Sequence, residues 1–457
     1  MYEGKNISER YQRMGFKRID VRDINGFKLG NAENQSAGTG CTVIISENGA
    51  VAGVDVRGGG PATRETDLLK SENTVQAVNA VVLSGGSAFG LEAGSGVMKY
   101  LEEKGIGFKV GERNVPIVTQ ASLYDLDVGS GDVRPDLNMG AQACINAYEG
   151  IFDHGNHGAG TGASVGKFYG MDRAMKSGLG TFACSDDVLE VGAITAVNAF
   201  GDVYNGNNNI IAGLLSKDKE YIKGSISVMK NHVHGEGGPE APDIRDPFKN
   251  DEIVVTNEVD DDGDVNTKID ELTIKHDIKD QQYSADIQTV KTSDYEAVSE
   301  EIEDNKEDSR SEIDEIESKI EELRAELESN AEHHDTLFQE DSIQGEPNHE
   351  PIPVEEMGYD VPFNTTLSCL ITNAKLTKTQ ANKLASILHD GFARAIKPVH
   401  GTLDGDAIFV MTTNQVEVNF DAFAALATDI LQYSVIDGAL AATDAYGLKA
   451  SRSIIGK

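Results

Sequence analysis

The feature that most constrains this chain is a change of composition between about residue 235 and residue 357. From residue 251 to residue 350 there are 34 aspartates and glutamates but only 8 lysines and arginines, whereas the other 357 residues carry 42 acidic and 32 basic side chains. A segment this charged, with few aromatic residues, cannot bury enough apolar surface to form its own core. A chain of 457 residues exceeds one typical domain, but one large layered core is compatible with it. We interpret 1–235 and 358–457 as two parts of a single domain and 236–357 as an acidic insertion between them.

The insertion contains one periodic stretch. Five apolar residues recur at alternating steps of three and four, namely Ile313, Ile316, Ile320, Leu323 and Leu327. This spacing is typical of a coiled coil, but so short a repeat supports only a helical arm or a weak oligomerisation element. We therefore expect the insertion to be partly helical.

The overall composition limits the partners of the chain. The formal net charge is −36, which disfavours binding to nucleic acid. The N-terminus is polar and no apolar run reaches about 18 residues, so we expect no signal peptide, no membrane span and a cytoplasmic location. No Cys-x-x-Cys pair occurs, and His232 and His234 have no evident further ligand, so we expect buried thiols, no metal and no cofactor.

Apolar periodicity predicts the main elements of the fold. Near the N-terminus, Thr42–Ser46 and Ala50–Val56 have the pattern of strands, and Glu47-Asn48-Gly49 between them predicts a hairpin. Further strands are predicted at 77–83, 181–184, 188–198, 367–372 and 407–411, and helices up to about 104 and at 141–148, 377–396 and 420–441. The helix after 377 begins with a Thr-x-x-Gln capping box.

Two glycine-rich loops resemble ligand-binding motifs without matching them. Ser84–Gly90 follows a predicted strand and precedes a helix, but Phe89 stands where a nucleophile elbow requires glycine. Gly155–Phe168 lacks the glycine and the final Ser/Thr that a P-loop requires. Glycines in such loops allow close packing or a close approach of the backbone to a ligand, and Lys167 adds one cation.

The C-terminal part brings a hydroxyl and two carboxylates to the beginnings of two predicted strands. Thr365 precedes one strand, and Asp404 and Asp406 precede the next. Attack of Thr365 on the carbonyl before it would free an α-amine with a pKa of about 7.7–8.0, so that one residue could supply both nucleophile and general base. The residues by themselves also fit a simple turn at Asn364-Thr365 and a hairpin turn at Asp404–Asp406.

Several stretches, in this order, resemble one family. They are Val54–Gly59, Leu83–Leu91, Gly160–Lys167, Asn364–Leu367, and Pro398–His400 with Asp404–Asp406. The family is that of the autoprocessing aminopeptidases typified by the L-aminopeptidase/D-Ala-esterase DmpA and the β-peptidyl aminopeptidases, and it includes the nylon-oligomer endo-hydrolases. The resemblance implies an α/β fold of the N-terminal-nucleophile-hydrolase type, a four-layer αββα sandwich related to that of the ornithine acetyltransferases.

The resemblance also implies roles in self-cleavage and catalysis. The precursor would cut itself between Asn364 and Thr365, and Thr365 would become the nucleophile at the start of a β chain. Asp404 and Asp406 would orient its amine and hydroxyl, an arrangement that looks most like the nylon-hydrolase branch.

Three further residues receive roles from the resemblance. Asn198 would donate to the oxyanion, Lys167 would supply a nearby positive charge, and Tyr124 would line the site. From the residues alone, Lys167 also fits a solvated loop cation and Asn198 a cap at a strand end.

The resemblance implies a self-cleaving amide hydrolase that acts on short peptides or on 6-aminohexanoate (nylon) oligomers. We expect an αβ heterodimer after cleavage that assembles into a homo-oligomer, without nucleic acid, membrane or cofactor. Two alternatives remain at this point: an ornithine-acetyltransferase-like acyl transferase, and an assembly protein with a vestigial site.

Overall fold

The structure, a computed structural model, describes residues 15–230 and 364–455, together with two dipeptide strands at 258–259 and 265–266. The chain divides into two compact units, one made of residues 1–245 and 353–457 and the other of residues 246–352. Apart from the two dipeptide strands, the predicted insertion lies outside the described residues. The coiled-coil positions 313–327 and the histidines at 232 and 234 lie outside them as well.

The described residues form six α-helices and 20 strands. The helices are α1 Ala93–Glu103, α2 Leu137–Glu149, α3 Ser225–Lys230, α4 Lys378–Ala395, α5 Phe420–Ala441 and α6 Ser451–Ile455. The first ten strands are β1 Lys17–Ile19, β2 Lys28–Asn34, β3 Thr39–Val56, β4 Ala62–Arg64, β5 Ala77–Ser84, β6 Phe108–Val110, β7 Arg113–Val115, β8 Val118–Ser122, β9 Ser164–Val165 and β10 Met175–Lys176. The others are β11 Leu179–Ser185, β12 Glu190–Ala196, β13 Asp202–Tyr204, β14 Ile210–Ala212, β15 Glu258–Val259, β16 Val265–Asn266, β17 Leu367–Ala374, β18 Ile396–Lys397, β19 Ala407–Val416 and β20 Lys449–Ala450.

Most of the predicted elements are confirmed. The helix predicted at 420–441 is α5, and α4 begins at the capping box of Thr377 and Gln380. The predicted strands at 77–83, 181–184, 367–372 and 407–411 lie within β5, β11, β17 and β19. All four cysteines are buried and free. None of the described helices is long and apolar enough to cross a membrane.

The hairpin predicted around Glu47-Asn48-Gly49 is wrong, because these residues lie within one long strand, β3. Residues on both sides of them pair with β5, so residues 46–49 bulge opposite Asn79, and Gly49 takes a φ of 79°. A bulge of this kind bends a strand without reversing it. The first half of β3 pairs with β2 and the second half with β19, so β3 joins two parts of the sheet.

Three hydrophobic clusters separate four layers within the larger unit. The middle cluster lies between β2, β3, β5 and β8 on one side and β11, β12, β17 and β19 on the other. A second cluster covers the outer face of the first group of strands with α1 and α2, and a third covers the outer face of the second group with α4 and α5. Side chains along β19 alternate between clusters, with Phe409 and Met411 in the middle and Ile408 and Val410 under the helices. The predicted four-layer αββα sandwich is confirmed.

Candidate active site

Thr365 lies at the edge of the sheet where β17 begins. β17 and β19 are parallel, so both strands begin at this edge, and the residues that precede β19 lie beside the residues that precede β17. Asn364 and Asp404 form an isolated parallel bridge there. Asp404–Asp406 is not a hairpin turn, because β18 pairs with β13 and not with β19. The parallel pairing thus brings the hydroxyl and the two carboxylates together.

The peptide bond between Asn364 and Thr365 is held on both sides. The N–H of Thr365 donates to the main-chain oxygen of Asn198 at 2.9 Å, and the carbonyl oxygen of Asn364 accepts from the N–H of Gly405 at 3.0 Å. The Thr365 hydroxyl contacts that same carbonyl oxygen. Thr365 is 3% exposed, so the nucleophile predicted from the sequence is enclosed in the continuous chain.

The two candidate carboxylates have different surroundings. Asp406 accepts hydrogen bonds from the N–H of Thr366 at 2.7 Å and from His400, whose N–H lies at 3.2 Å and whose Nδ1 lies at 2.9 Å. Asp404 accepts from the N–H of Gly401 at 2.7 Å, and its other oxygen is buried without a partner among the described residues. Burial, together with the neighbouring Asp406 carboxylate, raises the pKa of Asp404 well above its usual range. Asp404 is therefore suited to exchanging a proton.

Lys167 and Asn198 form a buried pair beside this peptide. The Lys167 Nζ donates to the side-chain oxygen of Asn198 at 2.6 Å, and Lys167 is only 1% exposed, so it is not a solvated loop cation. Burial lowers the pKa of Lys167 to about 7, while the Asp404 carboxylate opposes that change. Lys167 can therefore change its charge near neutral pH.

The hydrogen bonds of the Asn198 side chain limit how it could act as the predicted oxyanion donor. Its side-chain oxygen also accepts from the N–H of Ser164 at 3.1 Å, and its amide nitrogen donates to the main-chain oxygen of Tyr124 at 2.9 Å. One amide hydrogen of Asn198 is thereby engaged, so an oxyanion would require the second. The Tyr124 ring is partly exposed, and its hydroxyl lies 3.3 Å from Asp127.

The glycines at 58–60 allow two segments of backbone to touch. The N–H of Gly60 donates to the main-chain oxygen of Asp404 at 2.7 Å, and a Cβ added at Gly58 would lie 2.1 Å from that oxygen. Any larger residue at Gly58 would push Asp404 away. These glycines therefore hold the carboxylate segment against the sheet.

The Ser84–Gly90 loop approaches a buried carboxylate instead of a phosphate. Asp125 accepts from the N–H of Gly86 at 2.7 Å and from the Thr39 hydroxyl at 2.8 Å. A Cβ at Gly85 would lie 2.0 Å from the Asp125 carboxylate. Burial raises the pKa of Asp125 to about 6.

Sequence reasoning assigned no role to four groups that contribute to this arrangement. They are the imidazole of His400, the N–H of Gly405, the Asp125 carboxylate and the buried amine of Lys176. Lys176 donates to the carbonyl oxygens of Gly160 and Ala163 at 3.1 and 3.0 Å and so supports the loop that precedes Lys167. His400 lies within a motif noted above, whereas nothing in the local sequence distinguishes Lys176.

The described surface also has cavities away from Thr365. Two cavities of about 410 and 340 Å³ are lined by residues that include Asp55 and Lys70 in one case and Arg18 and His154 in the other, and neither lining contains Thr365. Within residues 15–230 and 364–455, no group of three or more His, Cys, Asp or Glu side chains is arranged to hold a metal ion.

Comparison with known proteins identifies relatives along most of the chain. The model of Peptidase family S58 matches residues 20–230 and 296–452. An uncharacterized aminopeptidase of Mycobacterium bovis is 27% identical over 95% of this chain and 97% of its own length. A 6-aminohexanoate-oligomer endohydrolase of Kocuria sp. is 24% identical over 91% of this chain and 85% of its own length. Among solved structures, a Burkholderia sp. β-aminopeptidase has a TM-score of 0.49 at 14% identity, covering 95% of this chain and 92% of that one.

The family match covers well over half of the sequence and includes the segments that carry Lys167, Asn198, Thr365 and the two aspartates. The predicted resemblance is thereby confirmed. The family match favours a hydrolase over the alternative of an acyl transferase. The chain belongs to Peptidase family S58 and is a peptide-bond hydrolase.

Proposed function

We propose that this chain cuts itself between Asn364 and Thr365, and that the new N-terminal Thr365 then hydrolyses amide bonds in short peptides or amino-acid oligomers. The observation that carries the proposal is the arrangement around the Asn364–Thr365 peptide. The amide nitrogen and the carbonyl oxygen each have a main-chain partner, and the hydroxyl lies against the carbonyl it would attack. Restraint of both ends of one peptide bond beside a nucleophile favours intramolecular attack.

In the self-cleavage step, the Oγ1 of Thr365 adds to the carbonyl carbon of Asn364, and the hydroxyl proton passes to a nearby base. The charge that develops on the carbonyl oxygen is stabilised by the Gly405 N–H, which already points at that oxygen. The bond from this carbon to the Thr365 nitrogen then breaks, and the nitrogen takes up a proton. Water hydrolyses the resulting ester, which leaves the carboxylate of Asn364 and a free amine on Thr365.

For the proton in this step, Asp404 is the carboxyl whose surroundings fit best. It is buried, one of its oxygens has no partner in the described part of the chain, and its pKa is raised toward neutrality. Asp406 is instead held by three donors and so fixes the backbone of Thr366. We assign proton exchange to Asp404 and orientation to Asp406.

In the hydrolytic reaction, the free amine of Thr365 acts as general base and its hydroxyl as nucleophile. An α-amine has a pKa of about 7.7–8.0 and can accept the hydroxyl proton near neutral pH. The acyl group moves from the substrate amine to the Thr365 oxygen and then to water. Asn198 and the charged form of Lys167 stabilise the oxyanion, and the partly exposed Tyr124 lines the approach to the site.

The proposed substrate class follows from the relatives. One is named an aminopeptidase and another an endohydrolase of 6-aminohexanoate oligomers, and both names describe amide bonds between amino-acid units. The burial of Thr365 in the continuous chain indicates that self-cleavage comes before substrate turnover. We further propose a cytoplasmic αβ heterodimer that assembles into a homo-oligomer.

Intact-mass measurement and denaturing electrophoresis test the self-cleavage. We expect chains of 364 and 93 residues, the smaller beginning at Thr365. Thr365→Ala is expected to stay whole, while Thr365→Ser, which retains a hydroxyl, is expected to cut. A wild-type chain that remains whole after long incubation, or a Thr365→Ala chain that cuts at the same bond, would contradict the proposal.

Substrate assays test the second step. Purified cut protein is incubated with peptides and with 6-aminohexanoate oligomers, beside uncut Thr365→Ala as the matched control. We expect release of amines only from the cut protein. Turnover by Thr365→Ala would show that another residue is the nucleophile.

A further inference from the structure

We infer that His400 is a positioning residue, which fixes the Asp406 carboxylate and through it the Thr365 segment. This inference rests on the proposed self-cleavage at Thr365. Two donors of His400, its main-chain N–H at 3.2 Å and its ring Nδ1 at 2.9 Å, converge on the same oxygen of Asp406. The other oxygen of Asp406 accepts from the N–H of Thr366 at 2.7 Å. Asp406 thus bridges His400 and the residue directly after the nucleophile.

The backbone at residue 400 restricts which side chains can make this contact. His400 has a φ of 60°, in the left-handed region where histidine, asparagine and aspartate are enriched among residues other than glycine. In this conformation the N–H and the imidazole of the same residue reach one carboxylate oxygen. A β-branched residue at this position would be strained and would lack the ring donor.

The contacts assign the tautomer of His400. Its Nδ1 faces a carboxylate oxygen and therefore carries a proton. Its Nε2 is buried without a hydrogen-bond partner among the described residues. Among the described residues, the hydrogen bond to Asp406 is therefore the one that the imidazole makes.

Two aromatic side chains lie against the imidazole of His400, whose side chain is 19% exposed. The ring of His389 lies edge-on at a centroid distance of 4.7 Å, and the ring of Phe392 lies at 6.4 Å. The Nε2 of His389 faces the main-chain oxygen of Asp55 at 3.1 Å, so His389 donates away from the site. His389 therefore provides a matched control, since its ring contacts that of His400 while its hydrogen bond goes to Asp55.

The rate of self-cleavage tests the role of His400 and requires no knowledge of the substrate. His400→Phe retains an aromatic ring and removes the ring donor. We expect it to slow self-cleavage by about 10- to 100-fold, because the loss of a hydrogen bond to a charged group changes a rate by about this factor. His400→Asn places an amide N–H near the position of Nδ1 and tolerates the left-handed backbone, so we expect a rate within about threefold of wild type. His389→Gln retains a donor toward Asp55 and is expected to cut as wild type does.

A second pair of measurements separates positioning from a general structural role. In the Thr365→Ala background, which stays whole, we expect His400→Phe to change the melting temperature by less than about 2 °C. In fully cut protein acting on amino-acid p-nitroanilides, we expect His400→Phe to lower kcat and leave KM within about twofold, as for a group that acts only in the chemical step.

Three results would overturn the inference. They are a His400→Phe chain that cuts at the wild-type rate, a His400→Asn chain as slow as His400→Phe, and a loss of rate accompanied by a large fall in melting temperature. A wild-type chain that never cuts would refute the proposed function itself. The failure of the two proposals can therefore be distinguished.

Discussion

Substitution of Gly405 by alanine tests the geometry of the proposed nucleophile most directly. Gly405 lies between the two candidate carboxylates, and its N–H donates to the carbonyl oxygen of Asn364. A Cβ at this position would lie 2.5 Å from the Thr365 hydroxyl oxygen, 3.0 Å from the main-chain oxygen of Gly60 and 3.1 Å from the Cα of Pro61. The methyl group would thus meet the nucleophile on one side and backbone on the other.

The size of the effect follows from these distances. Ordinary van der Waals contact begins at about 3.4 Å, so the hydroxyl or the 405 segment must move by nearly 1 Å. A misplacement of about 1 Å can cost about 100-fold in rate, because the nucleophile leaves its line of attack. The same movement weakens the hydrogen bond from the Gly405 N–H, and loss of one oxyanion donor costs about 100- to 1,000-fold. We therefore expect Gly405→Ala to slow self-cleavage at least about 100-fold.

The assay is the time course of self-cleavage followed by intact mass after expression. Gly206→Ala is the matched control, because a Cβ at Gly206 meets no atom within 4 Å and its backbone does not have a positive φ. We expect Gly206→Ala to cut at the wild-type rate. A Gly405→Ala chain that is folded by circular dichroism and cuts within about threefold of wild type would refute this placement of the hydroxyl.

Two further predictions concern buried charges. The Lys167–Asn198 pair lies beside the Asn364–Thr365 peptide, so the charged form of Lys167 would also favour the negative charge that develops on the Asn364 carbonyl oxygen during self-cleavage. We expect the rate of wild-type self-cleavage to decline above about pH 7, where Lys167 loses its charge. Lys167→Met is expected to slow self-cleavage about 10-fold and to lack this decline, and an unchanged alkaline decline in the variant would contradict the role. Asp125→Asn, in the uncut Thr365→Ala background, is expected to flatten the pH dependence of stability. The pKa of Asp125 is raised to about 6 in the folded chain, so its contribution is present below about pH 4 and is lost as the pH rises through 6, by up to about 3 kcal/mol of unfolding free energy. Urea unfolding at pH 4 to 7 measures this difference, and parallel curves for the two proteins would refute it.

Local patterns in the sequence were sufficient for most of the elements and for the neighbourhood of the candidate site. The capping box at Thr377, the apolar stripe of α4 and the apolar run of β17 depend on residues close together in the chain, so local patterns are enough to predict them. Thr365, Asp404 and Asp406 could be grouped because each stands directly before a strand. Once two neighbouring strands are parallel, the residues before them meet at one edge.

The bulge in β3 could not be predicted from its local sequence. Glu47-Asn48-Gly49 fits a hairpin turn, yet the segment continues as one strand because each half has a partner elsewhere, β2 and β19, and both halves share β5. Pairing of this kind depends on the whole sheet, and local turn preference contributes only a small part of the free energy.

The sequence by itself therefore determined the family, the four-layer class and the residues Thr365, Asp404, Asp406, Lys167 and Asn198 as candidates. Only the tertiary structure decided what each candidate touches. It turned the main-chain oxygen of Asn198 toward the Thr365 N–H, buried Lys167 against the Asn198 side chain, and brought His400 onto Asp406. The physical reason is that a hydrogen-bond partner is selected by packing among segments far apart in the chain, whereas sequence periodicity reports only which face of an element is buried.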